Sequence, residues 1–234
     1  MTNLLRLTSV LALCWVPVLN GQTAVNTRPQ IKVTGEGQVA ARPDQAKVAI
    51  GVVTTAPAAQ DAANQNADRV TAVLNAMRSV LGAGAEIETI SYSLNPNYSY
   101  PAGGQPTLTG YTATNIVEAT VTDLSLIGRL IDEAIRAGGN RVSSLRFGLR
   151  NDGPQREAAL RAAVQQARSK AQALASGAGV RLGQLLVIEE NFGVAVVPPL
   201  GRTDAAGALA ATTPVETGQV EVRAAVVLQV EMLQ

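Results

Sequence analysis

Carboxylates are the only acid–base groups that this chain carries in quantity. It has no histidine, so the usual general base and the commonest neutral metal ligand are both missing. The single cysteine is Cys14, near the start of the chain. A Ser-His-Asp arrangement is therefore impossible, and thiol catalysis or cysteine-ligated zinc has no ligand set in the body of the chain. The lysines are Lys32, Lys47 and Lys170, and none belongs to an S-x-x-K motif. Among the carboxylates, Glu189 and Glu190 are adjacent at the end of a strand pattern, which sends them to opposite faces and keeps them from sharing a proton. Asp132 and Glu133 read as the solvated face of a helix. Glu36 and Asp44 remain as a pair that could converge for a carboxylate-dependent hydrolysis.

Gly35-Glu36-Gly37 lacks the third glycine and the following helix of a dinucleotide fingerprint, and no G-x-x-x-x-G-K-[ST] occurs. An anion-gripping nest there is the minor reading. A bulge or a close approach of another backbone is the major one. All the tyrosines, Tyr92, Tyr98, Tyr100 and Tyr111, fall within one region. Cross-strand aromatic pairing and edge packing account for them structurally, and an interaction surface is the functional alternative. Asn97-Tyr98-Ser99 fits a glycosylation acceptor. No catalytic, cofactor or metal residues are assigned.

The 19 basic and 18 acidic residues show no run of either sign, which argues against nucleic-acid binding. Arg6 followed by the apolar run Leu7 to Leu19 predicts a signal peptide over residues 1–24, with an uncleaved anchor as the alternative. Removing it leaves residues 25–234 without cysteine or tryptophan, so no disulfide can form. No other stretch is long and apolar enough to cross a bilayer as a helix.

Ile31 to Val53 reads as two strands folded back on each other about Arg42-Pro43-Asp44. Ala46, Val48, Ile50 and Val52 point one way along the second strand. Pro57 to Leu81 is predicted as a helix burying Ala59, Ala63, Asn66, Val70, Val73, Leu74, Met77 and Leu81, ended by Gly82 and Gly84. Glu86 to Leu94 and Leu108 to Val121 are strands of a long hairpin. Asp123 caps a second helix, to Ala137, burying Leu124, Ile127, Leu130, Ile131 and Ile135. A strand over Val142 to Leu149 follows. Asp152 and Pro154 open a third helix, whose stripe of Ala159, Ala163, Val164, Ala167, Ala171, Leu174 and Ala175 predicts tight packing. Leu182 to Phe192 is a strand, Gly193 to Gly218 a structureless loop, and Val220 to Leu233 a closing strand. The order ββαββαβαββ predicts an α+β protein, with largely antiparallel sheets and three helices packed on them.

Six segments, in this order, carry a resemblance. They are VTGEGQVAARPDQAKVAIGV, ETISYSLNPNYSY with GYTATNIVEATV, DLSLIGRLIDEAIRAGGNRVSSLRFGL, ALRAAVQQARSKAQALASGAGVRLGQLLVIEE and TPVETGQVEVRAAVVLQVEM. Together they resemble the SIMPL domain family, which includes periplasmic immunogenic proteins and an envelope protein linked to oxidative-stress defence. The resemblance implies one SIMPL-type domain over residues 25–234 in an exported bacterial envelope protein that is not an enzyme. It supplies no catalytic residues and no cofactor, and some relatives assemble into large rings. The function expected is a self-associating periplasmic protein with an indirect role in envelope or oxidative-stress maintenance. Long exposed strand edges are the expected route to a homo-oligomer. The alternatives are a binding module for a small ligand or envelope partner, built on Tyr92 to Tyr111, and a carboxylate-dependent hydrolase.

Overall fold

A computed structural model of the protein describes residues 29–197 and 213–234. The expected signal peptide, with Cys14, lies outside the described residues. The elements are β1 (Gln30–Ala41), β2 (Gln45–Ala56), α1 (Ala59–Leu81), β3 (Ile87–Ser99), β4 (Thr107–Val121), a short 3-10 turn (Leu124–Leu126), α2 (Ile127–Arg136), β5 (Arg141–Gly148), α3 (Gly153–Gly177), β6 (Arg181–Val197) and β7 (Val220–Leu233). This is the α+β order that the hydrophobic patterns predict, and every strand pairing is antiparallel.

Two sheets divide the strands. One has the order β3-β4-β2-β5 and the other β1-β7-β6. The segment β2-α1-β3-β4-α2-β5 is a ferredoxin-like βαββαβ unit, with α1 and α2 on one face of its sheet. Its core joins Val48, Ile50 and Val52 to Val73 and Met77 of α1 and to Ile127 and Leu130 of α2. Asn66 on the buried face of α1 donates to the carbonyls of Val52 (2.9 Å) and Ala113 (3.2 Å). The three-stranded sheet has its own core, formed with α3 alone.

The β1–β2 hairpin is therefore incorrect. β1 pairs with β7 along its whole length, from Gln30 opposite Glu231 to Ala41 opposite Val220, while β2 lies between β4 and β5. Arg42-Pro43-Asp44 carries the chain from one sheet to the other. Alternation shows which face of a strand is buried but says nothing about its neighbour, and β7 is the longer apolar match. The crossing is tied to the β5–α3 connection. Asp44 N–H donates to the Gly148 carbonyl (3.2 Å), Arg150 N–H donates to Asp44 Oδ1 (2.7 Å), and Gln45 Nε2 donates to the Leu149 carbonyl (3.0 Å).

Gly35 and Gly37 sit where α3 presses on β1. The β1–β7 register runs without a shift, so there is no bulge, and the close-approach reading holds. A Cβ built on Gly35 would lie 2.1 Å from the Ala163 carbonyl oxygen, and one on Gly37 would lie 1.9 Å from that of Ala159. On the helix side Ala159, Ala163, Ala167, Ala171 and Ala175 are all fully buried. Each removes little apolar area; what the stripe gains is dispersion between two backbones in near contact. The same approach lets α3 cover the free edge of β1. Glu36 N–H donates to Gln166 Oε1 (2.7 Å), and Lys170 Nζ donates to the Thr34 carbonyl (2.9 Å). The expectation of long open strand edges thus fails at β1.

Helix phases hold with local errors. Ala62 rather than Ala63 is buried on α1, and Ile135 and Leu174 are exposed. Val164 is half-buried against the α3 core. Asp123 Oδ1 accepts from Ser125 N–H (3.1 Å), but the helix proper begins only after the intervening 3-10 turn. Asp152 makes no capping bond. It pairs instead with Arg156 at 2.7 Å, and the hydrogen bond from that guanidinium holds the Asp152 carboxyl below its usual range. The expected loop from Gly193 is also shorter, since β6 continues to Val197. Beyond the undescribed stretch, Thr213 bonds Asp132 through N–H (3.2 Å) and hydroxyl (2.6 Å), and Val215 packs on the α1–α2 core.

Gly37→Ala should lose about 1–3 kcal/mol in chemical denaturation, because backbone cannot move aside. Gly84→Ala, where nothing lies within 4 Å, should stay within about 0.5 kcal/mol of the parent.

Candidate functional site

The carboxylates do not assemble. Glu36 is exposed in the middle of β1, and Asp44 holds the sheet crossing through Arg150. Five strand steps separate Glu36 from the end of β1 at Ala41, roughly 17 Å, so the chain carries the two apart. Glu189 and Glu190 lie opposite Val227 and Val226 on β7 and so point to opposite faces. Asp132 is engaged by Thr213, and Glu133 pairs with Arg136 at 2.5 Å. No group of three or more His, Cys, Asp or Glu able to hold a metal occurs among the described residues.

One carboxylate that the sequence patterns did not single out is nearly buried. Glu118 of β4 is 4% exposed, on the sheet face opposite α1. Arg146 Nη2 of β5 lies 2.6 Å from Glu118 Oε2, and Lys47 Nζ of β2 lies 3.4 Å from Oε1. Glu88 of β3 is the directly opposed cross-strand neighbour, a like-charge placement that the two cations offset. The only sequence signal was a charged residue at alternating positions of three strands, and pairing register is needed to join them. Both carboxylate oxygens are occupied by cations, so this is a strut across the sheet and not a reacting centre.

The tyrosines cluster on the β3–β4 hairpin, whose far end extends as an arm. β3 and β4 pair as the predicted hairpin, and β2 leaves their side at Ala56, opposite Tyr111. Past that point the two strands continue alone, with Asn97 opposite Gly110 and Tyr98 opposite Leu108. Tyr92, Leu94, Pro96 and Tyr98 alternate along one face of β3, and Tyr111 shares that face because it opposes Pro96. Their partners are Asn115, Ala113, Tyr111 and Leu108. The expected aromatic pairing is therefore absent, since no tyrosine opposes another. Tyr92 is 54% exposed, Tyr98 50% and Tyr100 76%, while Tyr111 packs on Ala56, Ala62 and Ala113. No charged residue lies between Glu88 and Glu118, a run of neutrality that could have been read from the sequence. Asn97 of the acceptor motif is engaged, its Nδ2 donating to Thr112 Oγ1 at 2.8 Å.

A second apolar surface lies on the other sheet. α3 packs mainly on β1 and β7 and reaches β6 least, with Leu182 of β6 against the α3 core. Between α3 and β6 runs an open groove of about 500 Å³, walled by Arg168 and Gln172 of α3 and by Leu182 and Leu185 of β6, with Leu228 and Val230 as its floor. Ile188, opposite Leu228, extends the apolar wall and is 52% exposed.

Arg146→Ala should cost about 1 kcal/mol in urea denaturation, a charge-assisted bond discounted for the half-exposed arginine. Arg161→Ala, which breaks an exposed pair with Glu157, should cost less than about 0.5 kcal/mol.

The family model named SIMPL, described as a protein of unknown function (DUF541), matches residues 31–230. The chain is 31% identical over 215 residues to the 26 kDa periplasmic immunogenic protein of Brucella melitensis, covering 87% of this chain and 85% of that protein. It is 30% identical over 181 residues to the uncharacterized protein YggE of Escherichia coli K12, covering 76% and 73% of the two chains. None of these relatives carries an enzymatic name. No helix among the described residues is long and apolar enough to cross a membrane. With the match running from β1 into β7, the chain belongs to the SIMPL family.

Proposed function

We propose that the protein is an exported, periplasmic, non-catalytic scaffold that works by self-association. The observation that carries this reading is the pair of apolar surfaces left open on β3 and β6, in the Tyr92–Tyr98 stripe and in the Leu185–Ile188 wall. Monomeric proteins rarely leave such contiguous patches unused. Export is supported by the signal-peptide pattern of residues 1–24 and by the periplasmic name of the Brucella relative. The separation of the carboxylates speaks against a hydrolase.

A role in oxidative-stress maintenance is indirect on this reading. Residues 25–234 hold no cysteine. Met77 is fully buried, and Met232 is partly buried against the second core, so little sulfur is open to oxidants. A second reading, a binder for an envelope ligand or partner, is favoured by the exposed and uncharged tyrosine arm.

Sedimentation velocity on the full protein over a wide concentration range should show species larger than one chain. A monomer at every concentration overturns the scaffold reading. The binder reading expects the Tyr98→Ala, Tyr100→Ala double variant to lose retention on envelope extracts with its melting temperature unchanged; full retention sinks it.

A further inference from the structure

The two halves of the chain meet at a narrow joint. Every pair of elements that packs at length lies inside one half, either among β2, α1, β3, β4, α2 and β5 or among β1, α3, β6 and β7. Among the described residues the two cores have no member in common. The ferredoxin-like half is also one unbroken run, Gln45 to Gly148, set between β1 and α3 of the other. Two short connections enter and leave it, Arg42-Pro43-Asp44 and Leu149 to Asp152. Hydrogen bonds from Asp44 N–H, Arg150 N–H and Gln45 Nε2 tie these connections to each other. Parts of one chain that share no broad apolar interface move relative to each other unless something else restrains them.

The restraint lies on the helix layer. Before β7 the chain reaches across to the ferredoxin-like half. There Thr213 gives its N–H and hydroxyl to the Asp132 carboxylate of α2, and Val215 packs against the α1–α2 core. By Val220, opposite Ala41, the chain is back in the three-stranded half. The joint sits at the sheet layer of the ferredoxin-like half, where Gln45 pairs with Gly148. A body held at its sheet and at its helices cannot turn about the first point. Freed at the helices, it is held at the joint alone.

We infer that the two halves are separately cooperative units that turn as rigid bodies about the Asp44 joint, with the Thr213–Val215 segment as the strap that fixes their mutual arrangement. Turning changes how far the tyrosine hairpin stands from the three-stranded half and disturbs neither core. The device is the same in a monomer and in an assembled protein, so it does not rest on the self-association reading.

Hydrogen exchange followed by mass spectrometry on the full protein tests the separate cooperativity. Gly37→Ala should speed exchange about tenfold or more in β1, α3, β6 and β7 and leave residues 45–148 unchanged. Val73→Ala, inside the other core, should do the reverse. If Gly37→Ala yields no soluble protein, Val33→Ala takes its place. A substitution that speeds exchange equally in both halves overturns the inference, because a single cooperative unit opens as a whole.

Turning is read as a distance between the halves. In a Cys14→Ser background, nitroxide labels are placed at Ala72→Cys on α1 and Ala173→Cys on α3, both exposed positions. Diluting the labelled chain into excess unlabelled protein confines pulsed electron resonance to distances within one chain. One narrow distribution is expected with the strap intact. The double variant Asp132→Ala, Val215→Ser should broaden it while exchange in β2 and α3 stays slow. A distribution already broad in the parent shows that the strap holds nothing, and one that stays narrow in the double variant shows that the joint does not turn. Either result overturns the device.

Discussion

The near contact between the α3 backbone and β1 is the constraint on which the three-stranded half depends. Gly35 and Gly37 remove two side chains from the strand, and the alanine stripe removes bulk from the helix, so the two backbones meet almost directly. Any larger residue at those glycines would drive the helix outward and open the core of Ile31, Val33, Val222 and Leu228. The approach also fixes the lateral position of α3. Lying this deep over β1 and β7, it reaches the free edge of β1 with Gln166 and Lys170, and for the same reason it covers β6 least. One packing decision thereby closes one edge of the sheet and opens a groove at the other.

The ferredoxin-like half is organised differently. Its helices pack through branched and long side chains, with Met77, Ile127 and Leu130 fully buried, and no comparable close approach is needed. Asn66 spends its amide on two strand carbonyls, a polar contact inside an apolar layer that sets the position of α1 on the sheet. The opposite sheet face carries the Glu118 strut. A carboxylate this deeply covered on a face without a helix is tolerable because two cations from neighbouring strands satisfy it. The halves are joined where Asp44, Gln45, Gly148, Leu149 and Arg150 exchange hydrogen bonds. The β1–β2 and β5–α3 connections pass through this small knot, and the segment before β7 reaches the other half again where Thr213 bonds Asp132.

The molecule's ionisable groups are spread among struts, caps and exposed pairs. Its unsatisfied apolar area is concentrated on the outer strands β3 and β6. On the β3–β4 hairpin, the tyrosine hydroxyls and the Asn and Thr side chains add neutral hydrogen-bonding capacity to this apolar area.

Much of this was legible in the residues alone. Period-two alternation in Ala46 to Val52 and in Val220 to Val230 identified buried strand faces, because strand geometry imposes that period on any sheet. The alanine stripe of α3 announced tight packing, and Gly35 and Gly37 announced a bulge or a close approach, of which the unshifted register and the near contact with α3 select the second. Absent histidine and a single cysteine, Cys14, bounded the chemistry before any fold was known. What only the tertiary structure decided was partnership. β1 chose β7 over β2, Glu118 met Arg146 and Lys47 across three strands, and Glu36 was carried away from Asp44. The tyrosine cluster was visible in the sequence, but its solvent exposure depended on where β2 ends beside it. Local sequence constrains a residue's own backbone and the face it shows, whereas pairing is settled by competition among distant segments for the same apolar surface, and that competition is resolved only when the whole chain is packed.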